Sequence, residues 1–301
     1  MIKTQSAIDL DLSPEERRLV LEFFPQGLIA IDLETTGLSP LVDRIIEVAA
    51  IKIGPTTTEV YESLINPGIE IPPHTTEIHH ITDEMVAESP KSQEILTGLL
   101  DFFGDLPIVA HNAKFDLGFI VMGLKKWNLP VGNNDVYCSC KLARHTHMES
   151  KNHKLSTLVT ELNIPLLNHH RAFDDAFASL KVFVDSLKRA KTPLSPIIKR
   201  HGHLFNLNQF EKFEIEELPQ HLSTLEKLVK EAAVIEMKYS GGNHKNEFRP
   251  IKLTSLMNTP DGNILSARCL WSDLQKSFKL SKVVEIRTPS AEDIQKWLKK
   301  V

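Results

Sequence analysis

The stretch "LIAIDLETTGLSP", Leu28 to Pro40, decides how the first half of the chain is read. An apolar run from Leu28 to Ala30 continues through Ile31 and Leu33, as a buried strand would. Two acids interrupt it, Asp32 and Glu34. Side chains at i and i+2 of a strand face one side, so both carboxylates project together while Ile31 and Leu33 face away. Carboxylates this close repel and favour protonation of one of them. A divalent cation reverses that preference, because hard oxygen ligands suit Mg²⁺ or Mn²⁺. The competing reading is an exposed edge strand with both acids solvated, and this stretch alone leaves the two open.

Outward from it, "RIIEVAAIKIG" and "EVYESLIN" read as further strands around a "GPTTT" turn, which suggests an antiparallel meander. "PGIEIPPH" reads as a proline-pinned loop and "TDEMVAESP" as a short helix capped by Thr82. "SQEILTGLLDFFGD" is helical, "LPIVAHN" a buried strand, and "AKFDLGFIVMGLKKW" the helix after it. In "AFDDAFASLKVFVDSLKRA" the residues Phe173, Ala176, Phe177, Leu180, Phe183, Val184 and Leu187 recur at helical spacing and give one apolar face. Ser13-Pro14-Glu15-Glu16 opens a short helix ahead of all this, with a capping serine and proline at the first helical position. Strands first, then alternating helix and strand, imply an α/β fold with a mixed central sheet flanked by helices.

The chain has 301 residues, 42% of them hydrophobic, enough for two domains. No apolar run reaches the roughly 18 residues of a membrane span, so no membrane partner is expected. The first residues lack the layout of a secretory signal. Three cysteines make no disulfide framework, which fits a cytoplasmic protein. The net charge of −4 divides unevenly: residues 193–301 carry 17 basic and 13 acidic residues, leaving 18 against 26 in residues 1–192. An acidic front and a basic back suggest two jobs, although chance variation between ordinary domains is the equal alternative.

After Lys191 "TPLSPIIKRHGHLFNLNQFEKFEIEELPQ" shows no clean period and reads as a linker. "STLEKLVKEAAVIEMKY" is a helix leading into a strand. "NEFRPIKLTSLMN", "GNILSARCLW" and "KSFKLSKVVEIRT" follow as strands separated by turns, giving a small β-rich domain. "SGGNHK" lacks the strand–loop–helix setting of a phosphate loop and is a turn.

Further acids complete the first half. Asp116 in "VAHNAKFDLGFI" lies on the first turn of a helix after a buried strand, where α/β sheets carry functional side chains; alone it reads more simply as an acid favoured by a helix N-terminus. Asp175 in "HHRAFDDAFAS" lies off the apolar face, on a flank shared with Ala172, Ala176 and Ser179, small residues that let the helix approach the sheet. His170 precedes it at the helix start.

In this order "IDLETTG", "HNAKFDLGF" and "HRAFDDA" resemble the DEDDh 3′–5′ exonucleases over residues 25–190. "RIIEVAAIKI", "LINPGIEIPPHTTEIHHITDEMV" and "HKLSTLVTELNI" look like the proofreading exonucleases of the DNA polymerase III epsilon and PolC type. His170, with Arg171 after it, separates the chain from the tyrosine-using branch. Departures are His80, where the family usually has glycine, and "YCSCKLAR" around Tyr137–Cys140. The resemblance implies a ribonuclease H-like exonuclease fold and two Mg²⁺ or Mn²⁺ ions held by Asp32, Glu34, Asp116 and Asp175. In it Asp32 bridges both ions, Glu34 and Asp175 serve the water-binding site, and Asp116 serves the other. His170 accepts the proton of the attacking water. The same likeness places Thr35, Thr36 and Leu38 near the terminal nucleotide, with His79, His111 and Phe115 lining its pocket.

Cys138, Cys140, His145, His147 and His153 invite a zinc reading, but their spacings match no strong zinc pattern, and buried thiols with surface histidines are the alternative. In "KSFKLSK" the residues Lys276, Phe278, Leu280 and Lys282 alternate with Ser277, Lys279 and Ser281. Lys276, Phe278, Lys279 and Lys282 are candidate nucleic-acid contacts, cations for phosphates and a ring for a base; lysines guarding an edge strand are the bland alternative. Residues 225–291 resemble the WYL domain of bacterial regulators through "AAVIEMKY", "RPIKL" and "ILSARCLWSDLQKSFKLSKVVEI". That implies a small Sm/SH3-like β-barrel that binds nucleic acid or a related ligand.

The expected organisation is a helical extension at 1–24, an exonuclease domain at 25–192, a linker at 193–224, the WYL-like domain at 225–291 and a tail helix at 292–301. The expected function is release of nucleoside 5′-monophosphates from 3′ ends of single-stranded DNA, in repair or replication. RNA trimming, or a nucleic-acid-sensing regulator on an inactive nuclease scaffold, are the alternatives. No polymerase or clamp partner is legible.

Overall fold

The structure, a computed structural model, describes residues 2–3, 12–38, 40, 43–166, 170–190, 196–210, 218–242, 244–259 and 262–298. It divides into two compact units, the first of Met1–Gly37 and Arg44–Gln209, the second of Leu38–Asp43 and Phe210–Val301.

The first unit holds a seven-stranded sheet: β1 (Ile2–Lys3), β2 (Leu28–Thr35), β3 (Ile45–Ile53), β4 (Thr58–Leu64), β5 (Ile108–Ala110), β6 (Asp135–Cys138) and β7 (His203–Asn206), in the order β1-β4-β3-β2-β5-β6-β7. The meander expected from sequence is present, with β2, β3 and β4 antiparallel neighbours. β5 and β6 add in parallel, so the sheet is mixed. At the entrance to β2, Gly27 has φ 100°, and a Cβ there would sit 2.0 Å from the Ile53 carbonyl oxygen. Only glycine permits that approach.

The helices are α1 (Pro14–Phe23), α2 (Pro73–His79), α3 (Asp83–Val86), α4 (Ser92–Phe103), α5 (Lys114–Lys126), α6 (Ser139–Thr146), α7 (Leu155–Glu161) and α8 (Ala172–Ala190). The apolar stripe of α8 packs against Leu28 and Ala30 of β2 and Ala49 and Ile51 of β3. Ala172, Ala176 and Ser179 are fully buried. These small side chains bring α8 close to the strand that carries the acids. α4 and α5 pack on each other and against β4 and β2.

Four local readings change. α1 starts at a capping box, Ser13 with Glu16, but Val20 and Phe24 join the α8 core and Arg17 donates to the Gly54 and Thr57 carbonyls. It is therefore an integral layer of the first unit. The loop at "PGIEIPPH" gives way to α2 at Pro73, because proline is well tolerated in a first helical turn. "DVYC" forms β6, a strand too short for alternation to announce. His203–Asn206, inside the expected linker, pairs with β6 as an edge strand. Four residues give no usable period, and burial of Phe205 at 2% exposure is what seats them. Residues 193–195 and 211–217 of that linker lie outside the described residues.

The second unit is a five-stranded antiparallel sheet of β8 (Val234–Tyr239), β9 (Phe248–Thr259), β10 (Gly262–Cys269), β11 (Leu274–Lys279) and β12 (Val283–Arg287), ordered β11-β10-β9-β8-β12. α9 (Leu225–Lys230) covers its core and α10 (Ala291–Leu298) follows it. The single strand expected from "KSFKLSKVVEIRT" is broken. A 3₁₀ turn at Leu280–Lys282 buries Leu280 and sends β12 to the opposite edge of the sheet, beside β8.

Candidate active site

β2 carries the first two acids. The pleat places Asp32 and Glu34 on the side of Ala30, which faces α8. Asp175, on the first turn of α8, meets them there: ligand oxygens of Asp32, Glu34 and Asp175 lie within 4.8 Å of one another. Among the described residues this is the one such group of metal-ligating side chains. Asp116 arrives from α5, whose start follows β5, the parallel neighbour of β2. It is 2% exposed, and its carboxylate accepts the backbone N–H of Leu33.

Electrostatics record the crowding. Burial, then the charges of Asp116, Asp175, Glu34 and Glu47, push Asp32 well above the usual carboxylate range. Burial, Asp175 and Glu47 raise Glu34 to about 8, while Arg171 acts in the opposite sense. Burial raises Asp116 to about 8 against the backbone N–H groups of Asp116 and Leu33. Buried carboxylates in mutual contact either hold protons or share a cation. The donor set is all oxygen, which fits a hard divalent ion.

His170 is exposed and sits just ahead of α8 with φ 63°. A non-glycine residue in that conformation is uncommon. Its placement depends on Glu47, a residue the sequence reading missed. Glu47 lies directly opposite Glu34 across β2 and β3 and is 1% exposed. It accepts Arg171 Nε at 3.1 Å on both oxygens and the Ala172 N–H at 2.9 Å. One buried acid thus caps the start of α8 and anchors the residue beside His170. The available signal was an acid inside the apolar run "RIIEVAAIKIG", the same anomaly that marks β2.

The residues assigned to the nucleotide pocket divide. Thr35 donates to the Gly37 carbonyl at 2.6 Å, and buried Thr36 accepts the Arg44 N–H at 3.0 Å, so both shape the loop after β2. Leu38 is 46% exposed on that loop. His79 is 2% exposed; Nδ1 accepts the Ile81 N–H at 3.0 Å, which leaves the proton on Nε2, and Nε2 has no partner. Burial lowers its pKa. His111 has both nitrogens engaged, Nδ1 with Ser139 Oγ at 2.8 Å and Nε2 with the His153 carbonyl at 3.0 Å. Burial lowers His111 to about 4. It is a fixed wall with no polar atom to offer. Phe115 packs on Phe119 at 5.1 Å between ring centroids and stays partly exposed.

The zinc reading fails among the described residues. Cys138 Sγ accepts the Lys141 N–H, Cys140 Sγ donates to the His153 carbonyl, and buried His147 bonds Ser186 Oγ at 3.1 Å. His145 stacks on His201 at 3.5 Å. In the second unit Phe278 is also corrected. It is 3% exposed, packed in the core against Tyr239, and has no free face for a base. Alternation separated the two faces of the strand but not which one is covered. Lys276 is half-buried, while Lys279 and Lys282 are exposed.

No helix among the described residues is long and apolar enough to cross a membrane. A family model described as Exonuclease (RNase_T) matches residues 29–183, about half of the chain. The chain is 39% identical over 175 residues to the DNA polymerase III PolC-type protein of Bacillus cereus, covering 58% of this chain and 12% of that protein. The PolC-type protein of Caldanaerobacter subterraneus subsp. tengcongensis is 39% identical over 162 residues, with 54% and 12% covered. The chain therefore spans about an eighth of the length of these relatives. Among solved structures, exonuclease X in complex with 5′ overhanging duplex DNA aligns at 26% identity and TM-score 0.46, covering 56% of this chain and 98% of that one. With the acidic cluster inside the matched span, the chain belongs to the Exonuclease family.

Proposed function

We propose that the first unit hydrolyses phosphodiester bonds from 3′ ends of single-stranded DNA and releases nucleoside 5′-monophosphates with two Mg²⁺ or Mn²⁺ ions. The observation that carries this is the convergence of Asp32, Glu34 and Asp175 within 4.8 Å, with Asp116 buried beside them. Bound divalent ions would lower the pKa of a water and offset charge on the scissile phosphate. Asp32, Glu34, Asp116 and Asp175 would hold them. His170, at the mouth of α8, takes the proton of the attacking water. The His79 Nε2–H, a buried donor with no partner among the described residues, supplies a hydrogen bond to the terminal nucleotide. The loop from Thr35 to Leu38 borders that nucleotide, with Phe115 along its side.

DNA is preferred over RNA on the sequence likeness to PolC-type proteins. The second unit is read as a WYL-like module that holds nucleic acid near the catalytic unit and raises its effective concentration. Its basic balance and the exposed Lys279 and Lys282 support this.

The test is a time course on 3′- and 5′-labelled single- and double-stranded DNA and matched RNA, with Mg²⁺, with Mn²⁺ and with chelator. Early release of labelled mononucleotide from the 3′ label, on single-stranded DNA and only with metal, is expected. Faster digestion of RNA, attack from the 5′ end or full activity in chelator contradicts the proposal.

A further inference from the structure

Arg249 stands on β9, and the pleat turns it with Ile251 and Leu253 into the core of the second unit. It is 5% exposed. The guanidinium lies over the Phe278 ring, Cζ 5.6 Å from the centroid. Nη2 donates a long hydrogen bond, 3.4 Å, to the His244 carbonyl, and Nε has no hydrogen-bond partner among the described residues. Among the described residues no carboxylate pairs with it; Glu247 turns to His244 Nδ1 at 3.2 Å instead. It is thus a buried cation with no carboxylate partner among the described residues. The face of Phe278 offsets only part of that cost. The paired N–H donors of a guanidinium fork match the oxygens of a phosphate.

A second observation lies beside it. Trp271, on the turn after β10, is 48% exposed. Its ring meets the His244 ring at 5.2 Å and 67°, so His244 touches both Trp271 and Arg249. The Leu270 N–H donates to the Pro250 carbonyl at 3.0 Å and pins that turn next to Arg249. Lys279 and Lys282, exposed on the strand and turn that flank Phe278, add positive charge. A buried fork and an exposed indole bridged by one residue are what a nucleotide needs: a cation for its phosphate and a π face for its base.

We infer that the second unit binds a nucleotide phosphate monoester, with Arg249 on the phosphate and Trp271 against the base. This deepens the nucleic-acid role proposed for that unit and is independent of hydrolysis in the first. The test is calorimetric titration of the full chain in chelator with dTMP, thymidine and inorganic phosphate, on wild type and on Asp32→Ala, Arg249→Met, Arg249→Lys and Trp271→Ala. Expected is dTMP binding that is equal in wild type and Asp32→Ala and at least about tenfold weaker in Arg249→Met. Trp271→Ala should weaken dTMP and leave inorganic phosphate unchanged. Arg249→Met should melt no lower than wild type without ligand, since it removes an unpaired charge. If that variant fails to fold, Arg249→Lys, which keeps the charge and loses the fork, must still weaken dTMP. Unchanged dTMP binding in the folded Arg249 variant, loss of binding in Asp32→Ala, phosphate binding as tight as dTMP, or no binding by wild type overturns the inference. Nuclease activity of wild type is measured separately, so its failure would strike the exonuclease proposal and not this site.

Discussion

Arg171 grips Glu47 from the far end of the first unit's chain, its Nε 3.1 Å from each carboxylate oxygen. The same carboxylate caps α8 through the Ala172 N–H. Glu47 is therefore a positioning residue for Asp175 and His170. Glu47→Gln keeps an acceptor for Ala172 but releases Arg171, and kcat is expected to fall about ten- to hundredfold with KM little changed. Glu47→Ala is expected to cost about 3 kcal/mol of stability as well, because a buried partner is stranded. Steady-state kinetics and denaturant melts check both.

Asp32→Ala and Asp175→Ala are expected to abolish nucleotide release without unfolding the protein. In chelator each should melt higher than wild type, since one member of a mutually repelling set is gone. A folded variant of either kind with wild-type activity would sink the metal assignment.

The pH dependence has a definite sign. Glu34, at about 8 against 4.5, and Asp116, at about 8 against 3.8, hold protons in the folded state that the unfolded chain releases. Raised folded values stabilise at low pH, and that contribution is lost as pH climbs toward 8. His111, lowered from 6.5 to about 4, acts oppositely but only below about 6.5. Metal-free protein is thus expected to lose stability, on the order of 2 kcal/mol, between pH 6.5 and 8. Stabilisation by added Mg²⁺ should grow over the same interval, as protons are displaced. Thermal melts across that range, with and without metal, measure it.

The proposed role of His79 is to donate Nε2–H to the terminal nucleotide. Substitution by phenylalanine, which keeps a ring but no donor, is expected to raise KM about tenfold or more. Some stability is lost too, because the Ile81 N–H loses its acceptor. An unchanged KM would remove His79 from the pocket.

β7 makes a truncation informative. A chain ending at residue 192 lacks the strand that covers β6, whereas one ending at 209 keeps it. The shorter chain is expected to melt several degrees lower. Equal melting temperatures would show that β7 contributes little.

Much of the first unit was legible because its strands are long and its acids anomalous. β2, β3 and α8 carry clear periods, and an acid inside an apolar run has few structural explanations. β6 and β7 were not legible, since four residues carry no period. Glu47 was passed over because one acid in a strand looks like an edge residue until its partner, far along the chain, is known. In the second unit alternation placed Phe278 and Lys279 on opposite faces, but only packing shows that the Phe278 face is the inner one. Arg249, charged yet inward-facing, breaks the polar-out expectation altogether.

The acids of the site are synthesised far apart in time. Asp32 and Glu34 leave the ribosome early on β2, and Asp175 comes only with α8, the last helix of the first unit's core. Until α8 docks through Glu47 and Ala172, the early pair and Asp116 lack Asp175. A growing or clipped chain that ends before α8 carries the repelling acids without the group that completes the cage. Chains that end before α8 are therefore expected to release no nucleotide, even where β2 is complete.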